Sequence, residues 1–129
     1  MASQPGMHRP PNSTALGKVL LAFLPSEQRE EIFTMLTFER ATPRTIPNLA
    51  RFRRELVRVI QQGCAMDDQE TDMGARCVAA PVLDESGKVV AAISVSGPIT
   101  RMNRDRIQAF AGATKRAART ISARLGHAN

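Results

Sequence analysis

The chain has 129 residues, a formal net charge of +6 and 43% apolar side chains. That length suits one domain with a substantial core, and that apolar content argues against wholesale disorder. Five Phe with no Trp and no Tyr argue against a base-stacking nucleic-acid surface and against a sugar-stacking site.

All of the excess charge lies near the C-terminus. Arg101, Arg104, Arg106, Lys115, Arg116, Arg119 and Arg124 face Asp105 alone, while the preceding residues are balanced. A basic terminal helix can touch phosphates or a membrane surface, but the default is a solvated face of a packed helix. Cys64 and Cys77 form no CxxC pair and read as reduced thiols of a cytosolic protein. No apolar run reaches the length of a membrane span. The opening MASQPGMHRPP has no secretory core. Residues 1–12 read as a loose arm or a cloning remnant, and residues 13–129 as the domain.

Ser13 or Thr14 can cap a helix from Ala15 to Phe23, stopped by Pro25. Leu16, Leu20 and Phe23 make its expected stripe. Gly17 early in a helix implies a close approach. Gly17-Lys18 is not a P-loop, yet the first turn offers free N–H groups and a positive dipole end, a site for a carboxylate or phosphate. Ser26 is expected to cap a second helix that buries Ile32, Met35 and Leu36. A third helix spans Leu49 to Gln62, with Phe52, Leu56, Val59 and Ile60 on one face and Gly63 as its C-terminal cap. Cys64 to Met66 reads as a short strand. Asp67, Asp68, Glu70 and Asp72 follow as an acidic loop without the EF-hand pattern, so no metal is expected.

Ala75 to Pro98 reads as a β-hairpin around Asp84-Glu85-Ser86-Gly87. With those four as the loop, Leu83 faces Lys88, Ala79 faces Ala92, Cys77 faces Ser94 and Ala75 faces Ser96. Alternation sorts the side chains. Val78, Ala80, Val82, Val89, Ala91, Ile93 and Val95 share an apolar face. Ala75, Cys77, Ala79, Pro81, Ala92, Ser94 and Ser96 share a face of small groups. That face suits either the close approach of a helix or the floor of a ligand site. Asn103 can cap a final helix whose stripe runs Ile107, Phe110, Ala111, Thr114, Ala118, Ile121 and Leu125.

Enzyme chemistry finds little support, and no catalytic residue or cofactor is assigned. His8 and His127 lie in the end segments, which removes an internal Ser-His or Cys-His pair. A hydrolase or isomerase would have to use Asp67, Glu70 or Cys77.

Several blocks together carry a family resemblance. Ser13 to Ala22 (STALGKVLLA) resembles the TALGKALLA helix of IclR-type bacterial transcriptional regulators. Gly63 to Asp72, Gly74 to Val82 and Ala91 to Pro98 are similar to that family's later signature segments, at matching spacing. The resemblance covers Ser13 to Gly126. It implies an α+β, GAF-like (profilin-like) domain, an antiparallel sheet packed with helices, that binds a small organic or aromatic carboxylate effector. It further implies a homo-oligomer, a dimer or tetramer, in the bacterial cytoplasm. Operator DNA would be met only through a winged helix-turn-helix outside this chain. The family's domain opens with strands before the position of Pro10, so the sheet is expected to be incomplete here, or completed by another subunit.

Carried over, the family's effector pocket falls on Ala15 and Leu16, through their backbone N–H groups, and on Asp67, Ala75, Cys77, Ser94 and Ser96. Four of these already share one hairpin face. A carboxylate would sit on the N–H groups of Ala15 and Leu16. Asp67 would meet a ligand hydroxyl or hold a neighbouring loop. Cys64 stands where an aromatic is usual, Gln69 where a Glu is, and Asn12 where His is common. The competing expectation is an interaction or dimerisation module that binds no small molecule.

Overall fold

The protein is described by a computed structural model over residues 11–128. In chain order the elements are α1 (Ala15–Ala22), α2 (Ser26–Phe33), α3 (Leu49–Gln62), β1 (Ala65–Asp68), β2 (Ala75–Leu83), β3 (Val89–Pro98) and α4 (Ile107–Arg124). The strands form one antiparallel sheet in the order β1-β2-β3, the α+β class expected. Most of the expected N-terminal arm lies outside the described residues, but Pro11 to Ser13 form a turn in which Asn12 and Ser13 are buried.

The hairpin register differs from the expected one by two residues. Cys77 pairs with Ser96, Ala79 with Ser94 and Ala75 with Pro98. One residue comes from the turn, which takes in Lys88 so that Leu83 pairs with Val89, and the second from a bulge beside Val82 and Leu83 that takes up one residue of β3. Away from the bulge the displacement is even, so the sorting of side chains between faces is kept. Val89 is the exception, standing opposite Leu83 instead of in line with Val82.

Each face has its own cover. Val78, Ala80 and Val82 pack with Met102, Ile107, Ala111 and Ala118, so α4 and the turn before it close the apolar face. On the other face Ala79 joins Ala15, Val19, Phe52, Leu56 and Val59, which brings α1 and α3 over one end of the small-residue floor. Phe52 is flanked edge-on by Phe33 and Phe38 at 5.9 and 6.0 Å between ring centroids.

Five expectations about helix faces and ends are corrected. In α1, Leu16 and Leu20 are exposed, and the buried set is Ala15, Lys18, Val19, Leu21 and Ala22; ion pairs on Lys18 rotate the helix that way. Ser26 is the first helical residue, and Pro25 occupies the cap without a side-chain bond. Helix α2 ends at Phe33, its buried residue, which leaves Met35 exposed. In α3, Phe52, Leu56 and Val59 are buried but Ile60 is exposed. At the end of α4 the buried position is Ser122, not Ile121 or Leu125, because the Ser122 hydroxyl accepts from the Leu83 N–H at 2.9 Å. Strand β1 also starts one residue later than expected and takes in Asp67 and Asp68.

Candidate functional site

Helix α1 starts at a fixed place and angle. Thr14 is its cap, with its hydroxyl accepting from the Gly17 N–H at 3.1 Å. Gly17 is required where it stands: a Cβ there would lie 2.5 Å from the Pro11 Cα. With Gly17 satisfied by Thr14, the N–H groups of Ala15 and Leu16 meet no acceptor among the described residues. These two residues open onto a cleft of about 430 Å³.

The cleft floor is the uncovered end of the small-residue face. Its lining includes Ala75, Cys77, Ser94 and Ser96 from β2 and β3, with Asp67 from β1. All seven residues expected at a binding site therefore stand around one cavity, whose volume lies in the range of ordinary small-molecule sites. The small-residue face does both things its sequence allowed: Ala79 on β2 is buried with α1 and α3, while Ser94, its partner across the strands, and Ser96 on β3 are exposed and line the cleft. Thr14, Asp72, Arg76 and Gly97 also line the cleft and were missed. Arg76 and Gly97 are paired across β2 and β3.

The walls are held by an ion network. Lys18 has no exposed surface. Its Nζ donates to Glu55 Oε2 at 2.8 Å, to the Met66 carbonyl at 2.8 Å and to the two Glu70 oxygens at 2.8 and 2.9 Å. The Glu70 N–H donates to Asp67 Oδ1 at 2.8 Å, so Asp67 ties the loop down while its side chain borders the cleft. Thr42 and Thr45 hydroxyls donate to the Gln69 and Glu70 carbonyls, both at 2.6 Å. That clamp holds Gln69 at a φ of 61°, a conformation a non-glycine residue keeps only when its surroundings insist.

Burial pushes the Glu70 carboxyl above its ordinary range, against the pull of Lys18. Burial also acts to raise Asp68, but hydrogen bonds from Arg76 and Gln69 and the charges of Arg76 and Arg44 outweigh it and hold Asp68 below its ordinary value. Cys64 is raised by burial, with Lys115 opposing. Among the described residues no group of His, Cys, Asp and Glu is placed to hold a metal ion.

A larger groove of about 780 Å³ lies beyond the network, lined by Arg44, Arg51, Arg54 and Arg58 with Glu55, Asp68 and Glu70. It lacks the cleft's floor of small side chains. Two of its carboxylates hold Lys18, and Asp68 holds Arg44 and Arg76. Among the described residues no helix is long and apolar enough to cross a membrane.

Comparison with known proteins gives a consistent result. Residues 1–123 match the family described as bacterial transcriptional regulator IclR C-terminal. The transcriptional regulator KdgR of Escherichia coli is 38% identical over 127 residues, 98% of this chain and 48% of that protein. The chain thus spans about half the length of such relatives. The crystal structure of the Thermotoga maritima IclR superposes with a TM-score of 0.90 at 35% identity, covering 98% of this chain and 51% of that one. The inducer binding domain of the PobR transcription factor from Acinetobacter, solved as a double mutant with 3-hydroxy benzoic acid, superposes with a TM-score of 0.81 at 28% identity over 94% of this chain and 72% of that one. These relatives are transcription regulators, not enzymes, and the chain described here belongs to the IclR family, matching its C-terminal domain.

Proposed function

We propose that this chain is the effector-sensing domain of a bacterial transcription regulator and that its cleft binds a small organic or aromatic carboxylate. One observation carries the reading: the N–H groups of Ala15 and Leu16, which meet no acceptor among the described residues, open onto a cleft lined by Ala75, Cys77, Ser94 and Ser96. A helix start of this kind accepts an anion through backbone donors and the helix dipole, without a lysine or arginine. The small side chains leave room for a flat or short organic body. The Ser94 and Ser96 hydroxyls supply hydrogen bonds that select among acids. Asp67 would repel a carboxylate, so the acid end points to α1 and a ligand hydroxyl to Asp67. The 3-hydroxy benzoic acid held by the PobR domain has both groups and supports this class of ligand.

Binding at the α1 start and on β3 ties two elements of the domain together. In the whole regulator, acting as a dimer or tetramer in the cytoplasm, that ordering shifts the arrangement of subunits. Operator affinity then changes through a DNA-binding domain outside these residues. Such couplings are worth about 1–3 kcal/mol.

The test is a thermal-shift screen with mono- and dicarboxylates and hydroxybenzoates. A ligand at a hundred times its Kd adds about 2.7 kcal/mol of stability. The expected result is stabilisation by one class of acid, lost in Ser94→Ala/Ser96→Ala. A cooperative melt that no acid moves, or a shift the double variant retains, would remove this reading.

A further inference from the structure

Helix α3 carries four arginines, and they are not used alike. Arg53 is engaged: it forks onto both Glu30 oxygens at 2.6 Å and lies over the Phe33 ring at 4.7 Å. Arg51, Arg54 and Arg58 fall at i, i+3 and i+7, on one ridge about 10 Å long. All three line the groove beyond the Lys18 network, together with Arg44 from the loop before α3.

Like charges at this spacing disfavour a helix unless opposite charges offset them. The carboxylate placed to do so is Glu55, four residues after Arg51 and three before Arg58. Its Oε2 instead meets Lys18 Nζ at 2.8 Å, and its Oε1 is left 3.6 Å from Arg58. Arg51 and Arg54 form no ion pair among the described residues. Residues 1–10 contain no Asp or Glu, so that segment has no carboxylate side chain to offer them. Arg51 also lies in the first turn of α3, which holds no acidic residue, so its charge adds to the positive end of the helix dipole.

The groove is shaped as well as charged. Asp68 fixes Arg44, whose Nη2 donates to Oδ2 at 2.8 Å and whose Nε donates to the carbonyl at 3.0 Å. That leaves Nη1 for another acceptor. Buried Ile46 and half-buried Met66 add an apolar strip. Each carboxylate of the lining already faces a cation from behind the groove: Lys18 binds Glu55 and Glu70, and Arg76 binds Asp68. With those two, six cations meet three carboxylates, an excess of three positive charges around about 780 Å³.

We infer that this groove is a second ligand site and that it takes a small organic phosphate. Guanidinium groups fork onto phosphate oxygens. A phosphate monoester brings about two negative charges, where a carboxylate brings one, and so comes closer to the excess. Arg51, Arg54 and Arg58 hold the phosphate, and Ile46 and Met66 take the apolar part of the body. The volume is that of a small-molecule site. A continuous nucleic-acid backbone fits less well, because Glu55 and Asp68 stand among the arginines. No residue of the groove lines the cleft, so the two sites stand or fall separately.

Pyrophosphate is the probe, titrated into the 15N-labelled chain at constant ionic strength. The expected result is saturable shifts at Arg44 and along residues 49–58, with a Kd below about 1 mM. Arg54→Gln/Arg58→Gln, on exposed side chains, should raise the Kd about tenfold. Arg54→Lys/Arg58→Lys keeps the charge but loses the fork, and should raise it about threefold; this variant decides the matter if the Gln variant fails to melt cooperatively. Ser94→Ala/Ser96→Ala should leave the Kd unchanged. Shifts that rise without saturating overturn the proposal, and so do binding indifferent to the Gln variant, a Lys variant as tight as the parent, or largest shifts at Ala15 and Leu16. A duplex oligonucleotide that binds the same arginines and that pyrophosphate does not displace would mark a nucleic-acid surface and overturn it as well.

Discussion

Replacing Lys18 by Met removes the cation at the centre of the fold. Three groups lose their donor: Glu55, Glu70 and the Met66 carbonyl. Breaking a buried pair by deleting one partner costs about 3–5 kcal/mol, since a charge is left unpaired away from water. The side chains of Glu55 and Glu70 keep 17% and 11% exposure, so the lower end applies, about 3 kcal/mol. Against a total stability of about 5–15 kcal/mol that is a large fraction. In a chain of this size it lowers Tm by about 10 °C. Urea and thermal melts followed by circular dichroism measure it. The loss should be partly undone in Lys18→Met/Glu55→Gln/Glu70→Gln, because that variant leaves no charge stranded. A loss of less than about 1 kcal/mol, or a triple variant as unstable as the single one, would refute the reasoning.

Three further outcomes are expected. Thr14→Ala deprives the Gly17 N–H of its cap and should lower stability by about 1 kcal/mol in urea melts. Gly17→Ala should destabilise despite the better helix propensity of Ala, because the new Cβ falls 2.5 Å from Pro11 Cα and 2.8 Å from Thr14 Oγ1; the expected loss is about 1–3 kcal/mol, and a gain in stability would contradict the packing. Glu70, raised above its model-peptide value of 4.5, binds its proton more tightly folded than unfolded. Its contribution to stability is therefore full at low pH and is lost as pH rises from that value through the folded-state pKa. Melts of the protein and of Glu70→Gln between about pH 4 and 7 should show the difference moving against the parent as pH rises; a flat or opposite difference would contradict it.

Elements with local signals were legible in the sequence. Helix α3 was legible from its apolar stripe and from Gly63, which takes the left-handed φ of 76°, whereas its Asn48 cap, accepting from the Arg51 N–H, was not read from the sequence. The division of hairpin residues between faces was legible too, since it depends only on alternation. The register was not, because a bulge leaves no mark in a run of Val and Ala. The burial of Lys18 was also hidden. A lysine in an apolar helix reads as surface until its partners, 37 and 52 residues away, are folded against it. The same distance effect hid Asp72 and Arg76 at the cleft, while Ala75, Cys77, Ser94 and Ser96 followed from one shared strand face.

The central claim is that an organic acid sits at the start of α1, and backbone NMR tests it most directly. The 15N-labelled chain would be titrated with 3-hydroxybenzoate and with each acid that raises its melting temperature. The account expects the largest shifts at the amides of Ala15 and Leu16, with smaller ones at Cys77, Ser94 and Ser96. Shifts confined to the groove around Arg44, Arg54 and Arg58, or none with any acid, would contradict it.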